Sequence, residues 1–64
     1  MYEKIEKLLE RDGVTSYAVA KATGLNPASF YGWKQGTYEP SLRAVKKLAE
    51  YFNVPMDYFA EEER

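Results

Sequence analysis

The chemistry open to this chain is limited by the side chains that it lacks. Its 64 residues include no cysteine and no histidine, which excludes disulfide scaffolds, thiol nucleophiles, Cys/His zinc sites and an imidazole base. Carboxylates are plentiful, but they lie beside lysines, and the sequence has neither a glycine-rich phosphate loop nor a nucleophile-base pair. We therefore predict a binding protein rather than an enzyme, with no cofactor, metal ion or small-molecule ligand.

The charged side chains are unevenly distributed, although the formal net charge is only −1. Residues 14–48 contain five basic side chains against one carboxylate, that of Glu39. Residues 1–13 contain three basic and four acidic side chains, and residues 49–64 contain one basic and five acidic side chains. This pattern indicates one face that binds an anion and another that avoids it. From the charges alone, solvated helix faces are an equally good interpretation.

Helices account for the apolar pattern of the whole chain. Apolar residues recur at intervals of three and four, and no segment alternates strictly between apolar and polar residues, as a strand would. With capping residues and glycines as boundaries, the spacing predicts an all-α fold with helices over residues 2–12, 16–23, 27–35, 42–52 and 55–60. We expect a single domain over residues 1–64, with a frayed acidic end at 61–64.

Nothing in the sequence directs the chain to a membrane. The longest apolar run is four residues, 17–20, which is too short for a membrane span or for the hydrophobic region of a secretory signal. The absence of cysteine fits a reducing compartment. We expect a cytoplasmic protein with no membrane partner.

The second and third predicted helices are joined by a very short turn at Gly24. Ala20 is small enough to let the two helices cross closely, so that Val19 and Phe30 can meet in the corner between them. A helix-turn-helix has this arrangement, and its second helix protrudes as a rod. Phe30 and Trp33, one helical turn apart, are expected in the core.

Four further large side chains are expected either in the core or at the surface. Tyr17 is expected either to cover the core, which is the favoured position, or to lie near the edge of the binding surface, and Leu42 is expected to face the core from the fourth helix. Tyr31 and Tyr38 lie off the apolar stripes, which favours a role in contacting a partner.

The run from Thr15 to Gly36 resembles the helix-turn-helix of Cro and phage-repressor proteins, the Xre-like regulators. The resemblance extends to Trp33-Lys34-Gln35-Gly36 with Pro40 after it, and to the segment at 54–59, and it covers about residues 2–60. It implies a compact five-helix, lambda repressor-like DNA-binding domain. It also implies a sequence-specific transcriptional regulator that binds double-stranded DNA as a homodimer on a palindromic operator.

The resemblance places DNA contacts in and around the predicted third helix, which enters the major groove in this family. The positions that face base edges there correspond to Asn26, Pro27, Ala28, Ser29, Tyr31 and Gly32. The positions along the sugar-phosphate backbone correspond to Ser16, Lys34, Gln35, Thr37, Tyr38 and Arg43. The dimer contact of the family corresponds to Pro55, Met56 and Tyr58.

Several base-facing residues depart from the family's pattern, which favours glutamine, asparagine or arginine at these positions. The side chains of Pro27 and Ala28 donate no hydrogen bond, although Ala28 can pack on a thymine methyl group. Gly32 has no side chain, which lets the backbone approach DNA closely. We therefore expect modest affinity, with specificity that depends on DNA shape and methyl contacts.

A second class of function stays open on the sequence alone. The same fold can serve as a protein-interaction module, such as an antitoxin-like or anti-repressor partner protein. Net acidity and weak base-reading side chains favour this alternative, whereas the basic middle segment, Ser16 and residues 34–37 oppose it. Binding that weakens steeply with salt would indicate DNA, because phosphate contacts release counterions.

Overall fold

In a computed structural model, residues 2–60 of the chain are described, and they form five α-helices and no strand. The helices are α1 Tyr2–Asp12, α2 Ser16–Thr23, α3 Pro27–Gln35, α4 Leu42–Phe52 and α5 Asp57–Ala60. The predicted all-α class is confirmed, and the predicted frayed end at 61–64 lies outside the described residues. None of these five helices combines the length and apolar character that crossing a membrane requires.

The first four helices cover the ranges that the spacing predicts, but α5 begins at Asp57 rather than at residue 55. The N–H groups of Tyr58 and Phe59 donate to the carbonyl oxygens of Pro55 and Met56, each over 3.0 Å. These bonds span three residues, as in a 3₁₀ turn, so the segment that Pro55 begins is a turn that leads into the helix.

Capping residues set the ends of α2, α3 and α4. Thr15, Asn26 and Ser41 each accept, through a side-chain oxygen, a hydrogen bond of 2.9 to 3.2 Å from a backbone N–H of the helix that follows. Gly24 and Gly36 end α2 and α3 in the left-handed conformation, with φ of 78° and 80°. The caps satisfy backbone groups that a helix end leaves without a partner.

All five helices contribute to one apolar core. Its buried residues are Ile5, Leu8, Val19, Ala20, Phe30, Trp33, Ala44, Val45, Leu48, Ala49, Phe52 and Phe59. In residues 2–59 no polar or charged side chain is buried. The core is therefore held together by burial of apolar surface and close packing, without a buried polar network.

The α2–α3 pair is the part of the fold that positions the candidate site. The two helices pack against each other, and α2 also packs against α4. Ala20 and Val19 are completely buried in α2, and Phe30 is buried in α3 with its ring centroid 4.6 Å from that of Trp33. The N–H of Leu25, in the turn between the helices, donates to the carbonyl oxygen of Ala20 over 2.9 Å. The predicted core positions of Phe30 and Trp33 are confirmed.

Two apolar side chains that the sequence placed against the core are exposed instead. Tyr17 exposes 61% of its surface and Leu42 exposes 75%. At about 100° per residue, Tyr17 lies about 110° around α2 from the centre of the stripe formed by Val19 and Ala20. Leu42 is the first residue of α4, whose buried residues begin at Ala44. Both predictions of core packing are therefore wrong.

Arg11 joins the C-terminal ends of α1 and α4. Its Nη2 donates to the carbonyl oxygen of Phe52, the last residue of α4, over 2.9 Å. Its Nε donates to the carboxylate of Asp12 over 2.8 Å, and the guanidinium lowers the pKa of that carboxyl group. A cation at the end of α4 supplies a partner to a terminal carbonyl and opposes the negative end of the helix dipole.

Ala20, which is buried where α2 packs against its neighbours, provides a test of this packing. We expect Ala20→Leu to lower the free energy of unfolding by about 1–3 kcal/mol, because a tightly packed core resists added methylene groups. The matched control is Ala22→Leu, two residues along the same helix at an exposed position, which should change the free energy by less than about 0.5 kcal/mol. Urea denaturation followed by circular dichroism measures both, and equal stabilities would contradict the packing described.

Candidate nucleic-acid interface

Helix α3 turns one side to the core and the other to solvent. Phe30 and Trp33 form its buried side. At about 100° per residue, Ala28, Tyr31 and Gln35 lie on the opposite side of the helix. All three are exposed, and Tyr31 exposes 69% of its surface. No helix of the described chain therefore covers this side, which we call the outer side of α3.

Most residues predicted to face bases are accessible at or near this outer side. Asn26, Pro27, Ala28 and Tyr31 are exposed, and Ser29 is half-buried. The Oδ1 atom of Asn26 accepts the N–H of Ala28 over 2.9 Å as the helix cap. The cap uses the carbonyl oxygen of the amide and leaves its two N–H donors for another partner.

Gly32 differs from the others, because it is buried. A Cβ atom at this position would lie 2.5 Å from Oη and 2.7 Å from Cε2 of Tyr38. The ring of Tyr38 thus occupies the space beside Gly32, and 49% of the surface of Tyr38 stays exposed. The open backbone that the sequence predicts at Gly32 is not found, because an approaching base edge would meet the ring of Tyr38 first.

The residues predicted to lie along the DNA backbone come from α2, α3, the loop after it and α4. They are Ser16, Lys34, Gln35, Thr37, Tyr38 and Arg43. Ser16 is half-buried and the other five are exposed. The ring of Tyr38 lies beside Gly32 of α3. Ser16 and Arg43 lie in the first turns of α2 and α4.

The helix ends around these residues favour an anion. Helices α2, α3 and α4 have no acidic residue in their first turns, whereas α1 and α5 have Glu3 and Asp57 there. An N-terminal turn without a carboxylate keeps its partial positive charge and its unpaired N–H groups, the features of a phosphate site. The basic segment 14–48 thus contributes helix dipoles as well as lysine and arginine side chains.

Tyr17 is exposed beside Ser16, which fits the less favoured of the two positions that the sequence allows it, near the edge of the binding surface. It follows Ser16 in the first turn of α2, and the Nζ of Lys21 lies 5.8 Å from the centroid of its ring. A lysine at that distance makes a cation–π contact. The helical spacing of α2 indicates this exposure, since Tyr17 falls outside the buried stripe formed by Val19 and Ala20.

A cleft of about 320 Å³ lies between the start of α1 and the loop after α3. Tyr2 and Glu3 line it on one side, and Trp33, Gly36 and Tyr38 are among the residues on the other. Burial, and to a smaller extent the nearby carboxylate of Glu6, raises the pKa of the Tyr2 hydroxyl. Tyr38 therefore borders both this cleft and the outer side of α3. Within residues 2–60 no group of three acidic side chains is placed to hold a metal ion.

The residues predicted to form a dimer contact lie in and just before α5. Pro55 is exposed, while Met56 and Tyr58 are half-buried and pack against the edge of the core. The Nζ of Lys4 lies 5.2 Å from the centroid of the Tyr58 ring. These residues contribute to closing the core and also leave apolar surface accessible.

Comparison with known proteins identifies one family. The sequence model of the family described as the Cro/C1-type HTH (helix-turn-helix) DNA-binding domain matches residues 4–57. The matched range extends from α1 to the first residue of α5 and includes the α2–α3 pair. No curated protein and no solved structure matches the chain.

The cap at the start of α3 can be tested separately from any ligand. We expect Asn26→Ala to lower the free energy of unfolding by about 1 kcal/mol, because the N–H of Ala28 loses its acceptor. Asn26→Ser is the matched control, since a serine oxygen caps as well as asparagine does, and it should retain the stability of the wild type. Thermal and urea denaturation measure the difference. An alanine variant as stable as the serine variant would show that the cap contributes nothing.

Proposed function

The chain belongs to the Cro/C1-type helix-turn-helix DNA-binding domain family, and on that premise we propose that it is a sequence-specific transcriptional regulator. Helix α3 enters the major groove of double-stranded DNA with its outer side toward the bases. The observation that carries the proposal is that this side is uncovered while Phe30 and Trp33 anchor the opposite side in the core. The major groove, about 12 Å wide, admits a helix.

Contacts with phosphates position α3 in this proposal. The N-terminal turns of α2 and α4, which have no carboxylate, receive phosphate oxygens beside Ser16 and Arg43. Lys34 and Thr37, both exposed around the end of α3, follow the adjacent strand. The carboxylates of α1 and α5 belong to the two acidic ends of the sequence, outside this basic segment. Such contacts set orientation and affinity without reading sequence.

Few side chains on the outer side are able to read bases by paired hydrogen bonds. Asn26 and Ser29 supply donors and acceptors at the start of α3, and the methyl group of Ala28 suits a thymine methyl. Tyr31 contributes a ring and a hydroxyl one turn later. Specificity then depends on methyl contacts and on DNA shape as well as on hydrogen bonds, and the affinity of one domain is modest.

We also propose that two copies bind together on a palindromic site. Pro55, Met56 and Tyr58 provide the partly accessible apolar surface for a contact between identical domains. A two-fold symmetric pair presents its two α3 helices to half-sites about one helical turn apart, which multiplies a modest affinity.

One observation favours a protein partner instead of DNA. Tyr17 and Tyr31 expose 61 and 69% of their surfaces, and exposed aromatic side chains are typical of protein interfaces. Leu42, which is 75% exposed, adds apolar surface. An antitoxin-like or anti-repressor module would use this surface. The basic segment and the helix ends without carboxylates have no role in that alternative, so DNA binding is the better-supported proposal.

Selection from random duplexes at fixed salt tests the proposed function. We expect the wild type to enrich a palindrome, and Tyr31→Ala and Gln35→Ala to weaken binding to it, since both residues lie on the outer side of α3. Tyr51→Ala is the matched control, because Tyr51 is also an exposed tyrosine (40%) but lies on α4. Failure to enrich any sequence, with a normal circular dichroism spectrum, would support the protein-partner alternative.

The salt dependence of binding tests the phosphate contacts. We expect log K for the selected duplex to fall linearly with log salt concentration, by about 0.9 for each phosphate neutralised. Lys34→Met should reduce that slope by about one contact per copy. Lys46→Met, which removes an exposed lysine from α4, is the control and should leave the slope unchanged. Binding that ignores salt would argue against a phosphate interface.

A further inference from the structure

We infer that Gly32 and Tyr38 form one DNA-contacting element, in which the loop after α3 supplies the side chain that the helix lacks at position 32. The ring of Tyr38 lies beside Gly32 and presents its hydroxyl to DNA from that place. The inference rests on the proposed function and deepens it, because it assigns a positioning role to a glycine in the middle of the helix.

The contact between the two residues requires glycine at position 32. The smallest side chain, a methyl group, would lie 2.5 Å from Oη and 2.7 Å from Cε2 of Tyr38. Carbon and oxygen atoms that are not bonded do not approach so closely, so any other residue displaces the ring. Unlike Gly24 and Gly36, Gly32 does not have a positive φ, so its backbone conformation does not explain the glycine. Glycine also weakens a helix relative to alanine. Its structural role at position 32 is therefore to make room for the ring of Tyr38.

The backbone of position 32 holds the same loop. The carbonyl oxygen of Gly32 accepts the N–H of Thr37 over 3.0 Å and also accepts the N–H of Gly36. These bonds place residues 36 and 37 at the end of α3, one residue before Tyr38. Gly32 therefore positions Tyr38 in two ways, by anchoring the loop and by making room for the ring.

The element completes the outer side of α3. Ala28 and Gln35 lie along the middle of that side, and at about 100° per residue Tyr31 and Gly32 lie about 50° to either side of them. The side chain of Tyr31 borders one flank. The ring of Tyr38, standing over Gly32, borders the other. Helix α3 thus carries a tyrosine ring on each flank of a small residue and a glutamine, although its own sequence contains only one tyrosine.

Variants of the two residues test the inference on the selected duplex. We expect Gly32→Ala to weaken binding about tenfold, because the displaced ring loses one hydrogen bond to a charged group. Tyr38→Phe, which keeps the ring and removes the hydroxyl, should weaken binding to a similar extent. In a Tyr38→Ala background, Gly32→Ala should change the affinity by less than about twofold, since the two residues act as one unit. Tyr51→Phe is the control and should bind as the wild type does.

Other outcomes overturn the inference. It fails if Gly32→Ala binds like the wild type, or if the losses from Gly32→Ala and Tyr38→Ala multiply in the double variant. Circular dichroism separates these results from unfolding, and we expect Gly32→Ala to retain the helical spectrum because alanine favours the helix. If the wild type enriches no duplex at all, the proposed function fails and the inference fails with it. If the wild type binds its duplex and Gly32→Ala binds equally well, only the inference fails.

A measurement without DNA checks the contact itself. In a proton NMR spectrum, the Hα signals of Gly32 should be shifted by the ring current of Tyr38, and Tyr38→Ala should remove that shift while Tyr51→Ala does not. Hα signals that are identical in the wild type and in Tyr38→Ala would show that the ring does not lie beside Gly32 in solution, and would overturn the inference.

Discussion

The packing of Phe30 and Trp33 into the core is the interaction on which the rest of this molecule depends. Their rings are nearly completely buried, and they share one core with Val19 and Ala20 of α2, the helix against which α3 packs. The core lies along this one side of α3, and the opposite side, with Ala28, Tyr31 and Gln35, is exposed to solvent. The same packing that stabilises the domain therefore also leaves exposed the side of α3 that we propose enters the major groove.

Electrostatics impose the second constraint, since a chain of net charge −1 belongs to a DNA-binding family. The distribution of the charged side chains along the chain, rather than their sum, makes binding to an anion possible. The carboxylates concentrate in the two ends of the sequence, and the first turns of α2, α3 and α4 contain none. Helix dipoles and free N–H groups then add to a small number of lysines and arginines, and their effect on an anion acts over short distances.

Two residues, Asn26 and Gly32, affect both the stability of α3 and the chemistry of its outer side. Asn26 caps the start of α3 and also places an amide beside the outer side of that helix. Gly32 weakens the helix and makes room for Tyr38. A domain of this size has little stability to spare, so substitutions at Asn26 or Gly32 need stability and binding measured together.

The sequence by itself determined the helices and the family. Local signals specify them, because side-chain caps, left-handed glycines and three-to-four spacing act within a few residues, and the helix-turn-helix and the buried pair Phe30 and Trp33 follow from the same spacing. The start of α5 was predicted two residues too early, because Pro55 begins a turn that leads into the helix. Only the tertiary structure decided which large side chains are exposed, since burial depends on what another element places opposite them. Tyr17 and Leu42 thus lie in solvent, and Tyr38, six residues along the chain from Gly32, covers it through a loop whose path the local sequence does not specify.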